Sequence, residues 1–282
     1  MKNEGMKLKN KTALVTGGSR GIGLAIARAF LREGARVMLA ARSEEELNVA
    51  HRDLSGEFGE ARVAICTTDV SRGEDVEKMI AETLRSFSRI DVAVNAAGIY
   101  GPIGPSEKAD FEAWKRTFEI NLFGTFKVFQ EVAPHMMKQR KGKIINFSGG
   151  GDGPFPRFSA YSASKVSVVR LTETLAAEMK GYGVDVNAIA PGGVNTLFLD
   201  QAIAAGEDAV GKEQYVKFLK QREAGGVSPD GAAELCVFLA SDASDGLSGR
   251  FISAVWDDWR NWDKQKIGEI MASERLVLRR IK

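Results

Sequence analysis

Tyr161 and Lys165 stand four positions apart in the segment Tyr161-Ser162-Ala163-Ser164-Lys165. Apolar residues follow at Val168, Val169, Leu171 and Leu175 with helical spacing, so the phenol and the ammonium lie one turn apart on one face and can share a site. A free phenol, with a pKa of about 10, is a poor base near neutrality, and a neighbouring ammonium lowers that value by favouring the phenolate. Such a pair can give a proton to a carbonyl oxygen as a hydride arrives, or take one from an alcohol in the reverse direction. A tyrosine and a lysine meeting by chance on a surface helix would do neither, and the pair alone does not decide between these readings.

Hydride chemistry needs a carrier, and a second motif suits one. Thr16-Gly17-Gly18-Ser19-Arg20-Gly21-Ile22-Gly23 follows an apolar β-branched run and opens a helical pattern at Leu24. In that strand-turn-helix context glycines let the backbone approach a pyrophosphate, whose charge meets free amides and the positive end of the helix dipole. A plain glycine-rich loop is the duller alternative. The next strand bears on which dinucleotide is held. NAD enzymes usually end it with a carboxylate that accepts from the ribose hydroxyls, but here it ends Leu39-Ala40-Ala41-Arg42-Ser43, with no acid before Glu44. Arg42, with Arg20 in the glycine turn, could grip a 2'-phosphate by charge-assisted hydrogen bonds. NADP is therefore preferred and NAD remains possible; either arginine could instead be a solvated surface charge.

The elements that must position these groups alternate. Strand-like runs fall at 12–16, 36–40, 62–67, 91–95, 143–147 and 184–190, with a seventh at 250–255. Helical periodicity covers 21–33, 44–58, 73–87, 110–138, 158–180 and 229–240. Alternation of this kind predicts an α/β, doubly wound Rossmann fold, a parallel sheet of about seven strands with helices on both faces. No linker or repeat interrupts residues 1–282, which are read as one domain. Residues 197–226 break the rhythm as an insertion at the carboxyl end of the sheet, where lids and substrate pockets form. A polar tail begins at 257, and its Leu276, Val277 and Leu278 could dock on the body or on a neighbouring subunit.

Bulk properties narrow the partners. With 39 basic and 37 acidic residues the net charge is +2, so the field expected of a nucleic-acid or membrane-surface binder is absent. Cys66 and Cys236 are far apart and carry no metal or disulfide spacing. No run reaches the ~18 apolar residues of a membrane span, and a cytoplasmic location follows by default.

The motifs in their order resemble the short-chain dehydrogenase/reductase superfamily. They are the glycine turn, Asn95-Ala96-Ala97-Gly98, Asn121-Leu122-Phe123-Gly124, Tyr161 to Lys165, and Pro191-Gly192-Gly193-Val194-Asn195-Thr196, within a match over residues 12–255. The resemblance implies a hydride transfer between nicotinamide and a carbonyl or secondary alcohol, with Tyr161 as general acid/base. Gly17, Ser19, Arg20, Gly21, Ile22 and Gly23 would hold the pyrophosphate, and Asp69 and Val70 would lie beside the adenine. Asn95, Ala96 and Gly98 would line the cofactor cleft, and Pro191, Gly192, Val194 and Thr196 would hold the nicotinamide. Lys165 would also bind the nicotinamide ribose, and Asn121 would hold a water in the proton relay. Asp69 could instead cap a helix, and the two asparagines could be satisfied core amides. A homo-dimer or homo-tetramer is also implied, packing through the helices after Asp110 and Phe158.

Two departures stand out. The family's substrate-orienting serine lies thirteen residues before the tyrosine, which selects Ser148, whereas strand register selects Gly149 in Ser148-Gly149-Gly150-Gly151. Ser148 is assigned. The end of the seventh strand, Ala254-Val255-Trp256-Asp257-Asp258-Trp259, replaces the usual Asp-Gly-Gly. Tyr100, Phe155, Arg157, Phe198 and the 197–226 insertion are the expected pocket walls. At the level of function the alternatives are a 3-oxoacyl thioester reductase and a non-catalytic NADP-binding sensor, which would need neither Tyr161 nor Lys165.

Overall fold

The computed structural model describes residues 6–149 and 153–279. The β-branched runs form seven parallel strands: β1 (Thr12–Thr16), β2 (Arg36–Ala41), β3 (Val63–Thr67), β4 (Val92–Asn95), β5 (Gly142–Phe147), β6 (Val184–Ala190) and β7 (Phe251–Ser253). They join in one sheet of order β3-β2-β1-β4-β5-β6-β7. Winding reverses between β1 and β4, and a sheet of this kind binds ligands in the crevice outside its strand ends at that switch point.

Side-chain alternation explains why both faces are covered. Ala13 and Val15 of β1 pack with Ile26 and Phe30 of α1 (Gly21–Arg32). Leu14, between them, joins the opposite cluster with Met79 of α3 (Gly73–Phe87), after α2 (Glu44–Phe58) has crossed back to the first face. A strand buried on both faces must be apolar throughout, as Ala13-Leu14-Val15 is, and each fully buried aliphatic side chain contributes roughly 1.5–3 kcal/mol.

Three expectations are refined. The run 110–138 is not one regular helix: α4 (Phe111–Phe118) passes through a π-helical turn, Glu119–Phe123, into α5 (Gly124–Gln139). Such turns are rare and concentrate at functional positions; this one carries the fully buried Asn121. The seventh strand is shorter than its pattern, because Asp257 accepts from the Ser253 amide and Ser253 Oγ accepts from the amides of Val255 and Trp256, which turns the chain away. After α6 (Ser159–Met179), the insertion folds as α7 (Leu197–Val210), bent at Gly206, and α8 (Lys212–Glu223). Leu199, Ala202, Val210 and Phe218 of this pair close over Phe158 in a third apolar cluster.

The chain then returns through α9 (Pro229–Ala240) and α10 (Lys264–Met271). The tail docks on the body, where Phe251 N–H donates to the Leu276 carbonyl at 2.8 Å and Leu278 N–H to Glu173 Oε1. Among the described residues no helix is long and apolar enough to cross a membrane.

Candidate active site

A cavity of about 730 Å³ runs across the carboxyl ends of the strands. Its floor is the glycine turn. Gly17 adopts φ +67°, and a Cβ there would stand 3.0 Å from the Ala97 backbone. At Gly23 a Cβ would come within 2.2 Å of the Gly17 carbonyl oxygen, so the turn closes only without one. Arg20 precedes α1 in extended geometry and no side chain caps the helix. Its first amides thus point into the cavity with the positive end of the dipole. Gly17, Ser19, Arg20, Gly21, Ile22 and Gly23 all line this space, opposite Pro191, Gly192, Val194 and Thr196. An uncapped helix end behind a cradle that a Cβ would fill fits a pyrophosphate.

At the far end of the cavity, Arg42 is exposed beside β2 and has no hydrogen-bond or ion-pair partner among the described residues. Arg20 is not free in the same way: it pairs with Glu46, which also accepts from Ser19 Oγ at 2.9 Å. Glu46 lies in the first turn of α2, and only the folding of α2 back over the glycine turn brings it there. Asp69 and Val70 line the cavity, and the Asp69 carboxylate is occupied by Arg116 at 2.6 Å and by the amide and hydroxyl of Ser71. Burial raises the Asp69 carboxyl, and the Ser71 hydrogen bonds with the Arg116 charge outweigh it, leaving the value below the ordinary 3.8.

A depressed carboxyl gives stability that is present above its unfolded value and lost as pH falls through the folded one. Half-exposed pairs are worth roughly 0.2–1 kcal/mol. Arg116→Met is therefore expected to lower the urea midpoint slightly at neutral pH, with the gap to wild type closing as pH falls below about 3.8. A gap that persists in acid would show that Arg116 stabilises by packing instead.

Tyr161 and Lys165 sit in the first turns of α6 and both line the cavity. Lys165 Nζ donates to the Phe147 carbonyl at 2.9 Å and lies 5.8 Å from the Tyr161 ring centre. Burial lowers the Lys165 ammonium to about 8. Burial first, then the nearby Tyr100, raises the Tyr161 phenol. The sequence leads one to expect that Lys165 lowers the phenol; in the fold, burial sets the direction of its shift instead.

Two sequence assignments need correction. Ser148 is fully buried and its Oγ donates to the Lys165 carbonyl at 2.9 Å, so it braces α6 rather than facing the cavity. The position that faces Tyr161 is Gly149, where a Cβ would stand 3.1 Å from the tyrosine Oη; strand register was the sounder guide. The next two positions, Gly150 and Gly151, lie outside the described residues. Asn95 does not line the cavity: it is a core amide donating to Asn146 Oδ1 at 2.9 Å, while Ala96, Ala97 and Gly98 supply the wall. The Asn121 side chain is spent on protein. It accepts from Ile99 N–H and donates to the Ile99 carbonyl and to Ser164 Oγ, each at 2.9 Å, clipping the wall to α6.

The remaining end of the cavity is apolar. Tyr100, Leu197, Phe198, Leu199 and Phe218 line it. Phe155 is one layer back, stacked on Phe158 at 4.3 Å. Arg157 does not line the cavity.

The short chain dehydrogenase family model matches residues 11–206. Over 245 residues the chain is 36% identical to 3beta-hydroxysteroid dehydrogenase 1 of Eggerthella lenta, spanning 86% of this chain and 91% of that protein. It is 33% identical to the 3-oxoacyl-[acyl-carrier-protein] reductase FabG of Thermotoga maritima, over 88% of this chain and 97% of that one. The solved structure of NAD+-bound xylitol dehydrogenase superposes with a TM-score of 0.80 at 29% identity, covering 88% of this chain and 98% of that one.

Proposed function

We propose that this chain, which belongs to the short chain dehydrogenase family of NAD(P)-dependent oxidoreductases, is an NADPH-preferring reductase of uncharged, apolar ketones. One observation carries the catalytic part: the Tyr161 hydroxyl has no partner among the described residues and faces a cavity shared with the anchored Lys165. When bound, the nicotinamide supplies the hydride. Gly17 to Gly23 would receive its pyrophosphate, with Pro191 to Thr196 and Lys165 at the other end.

Tyr161 is protonated across the neutral range, which suits a general acid that gives its proton to the carbonyl oxygen. Lys165 then steadies the phenolate left behind, and its charge is largely present below about 8. The substrate class rests on the wall of Tyr100, Leu197, Phe198, Leu199 and Phe218, which has no ionised side chain to offset the cost of burying a charged substrate. The relatives' names span steroid, sugar and acyl-carrier substrates, so this wall, not kinship, selects the apolar ketone. The test is NADPH oxidation against cyclohexanone, a bicyclic ketone, a steroid ketone, a 3-oxoacyl thioester and a keto-sugar. Turnover confined to the last two would sink the substrate reading.

The cofactor preference rests on Arg42. Removing a charged hydrogen bond costs roughly 1.5–3 kcal/mol, so Arg42→Ala is expected to weaken NADPH binding about ten- to a hundredfold with NADH unaffected. Glu46→Gln, which releases Arg20, is expected to tighten NADPH. Fluorescence titration reads both, and an equal loss for the two nucleotides in Arg42→Ala would remove the phosphate contact. Phe111, Phe123 and Phe126 are exposed on the α4–α5 run; we take this as the face of a homo-dimer or homo-tetramer, which light scattering of the purified protein decides.

A further inference from the structure

Position 149 faces the Tyr161 hydroxyl but has no side chain, and the preceding Ser148 is turned into α6. The reacting oxygen therefore lacks the second donor that a hydroxyl at 149 would supply. A carbonyl that gains charge as hydride arrives is much better stabilised by two fixed donors than by one.

Another phenol lies beside Tyr161 on the same cavity wall. The Tyr100 ring stands edge-on to Tyr161 with centroids 4.7 Å apart, and is boxed by Phe198 at 4.7 Å and Phe158 at 5.0 Å. It lines the same cavity, and its hydroxyl has no partner among the described residues. The two phenols are close enough that charge on Tyr100 is felt at Tyr161. Burial raises Tyr100 to about 12, so it stays a donor throughout the working range. Gln201, another uncommitted polar group lining the cavity, is exposed and has no comparable packing to hold it.

We propose that Tyr100 is a catalytic residue that donates a hydrogen bond to the substrate oxygen in place of the missing serine. This rests on the reading of Tyr161 as the acid. A hydride supplied by a bound nicotinamide would form the new C–H bond while the C=O π pair moves to oxygen. Tyr161 transfers its proton to that oxygen, and Tyr100 donates a hydrogen bond to it while keeping its own proton.

Tyr100→Phe preserves the ring contacts and removes only the hydroxyl. With cyclohexanone, a bicyclic ketone and a steroid ketone as probes, its kcat is expected to fall by about a hundredfold, the effect of deleting one such donor. NADPH affinity, measured by calorimetry, should stay unchanged. Gly149→Ser in the Tyr100→Phe background should recover part of the loss, since the added Cβ needs only a small shift of the Tyr161 hydroxyl. Full kcat in Tyr100→Phe, or a loss of NADPH affinity as large as the loss of kcat, overturns the proposal, the second because the residue is then structural. Failure of the underlying reading looks different: Tyr161→Phe would itself keep turning over.

Discussion

Tyr161→Phe is expected to lower kcat by about a thousandfold, within the range ascribed to general acid–base catalysis and equivalent to about 4 kcal/mol of barrier. The ring stays, and with it the edge contacts to Tyr100 and Phe155 and the tilted contact to Phe198. The hydroxyl makes no hydrogen bond to the described protein, so its removal leaves no buried partner stranded, and the melting temperature should hardly move. NADPH should bind as before. Stopped-flow NADPH absorbance with the fastest ketone of the panel, beside calorimetric titration of the nucleotide, separates the two quantities. Turnover within a few-fold of wild type would transfer the acid role to another group. A parallel loss of NADPH affinity would mean that the phenol shapes the cavity rather than acting in the reaction.

The second large effect is expected at Gly23. The Cβ of Gly23→Ala would lie 2.2 Å from the Gly17 carbonyl oxygen and 2.8 Å from its carbon. Both neighbours are backbone, so no rotamer change relieves the clash. The turn must open, and the amides at the start of α1 lose their common focus on a pyrophosphate. NADPH and NADH affinity should fall together, by more than about a hundredfold, equivalent to roughly 3 kcal/mol. That joint loss distinguishes Gly23→Ala from Arg42→Ala, which touches only the phosphorylated nucleotide. Gly56→Ala is the matched control: no atom lies within 4 Å of its added Cβ, and alanine in the last turn of α2 should stabilise that helix by up to about 1 kcal/mol. Normal nucleotide binding in Gly23→Ala would remove the glycine turn from the cofactor site.

The two effects act at opposite ends of one cavity, and the sequence exposed both ends to different depths. Thr16 to Gly23 was readable because every group in that turn is local: a strand end, a turn and a helix start within eight residues. Tyr161 and Lys165 were equally readable, since helical spacing alone aligns them. Ser148 was not. Counting back from Tyr161 assumed a loop of standard length, while the β5 register places residue 148 toward α6 and residue 149 toward the phenol. Strands alternate faces with a period of two, so an error of one residue turns the hydroxyl to the wrong side. Asn95 illustrates the same limit: its motif was seen, but only cross-strand pairing with Asn146 makes it a core amide.

What the chain determines locally is therefore the alternation of strands and helices, the shape of the phosphate turn and the alignment of Tyr161 with Lys165. Each depends on neighbours within about one or two turns, where backbone geometry follows from residue type. Tertiary structure decides the rest. It pairs Arg20 with Glu46, 26 residues away, and leaves Arg42 without a partner among the described residues. It spends Asp69 on Arg116, 47 residues away. It also brings Tyr100 against Tyr161 and folds α7 and α8 into an apolar wall. The physical reason is that charge pairing and desolvation depend on distance in space, which only the packed sheet and helices set, and it is burial above all that shifts Tyr161 and Lys165.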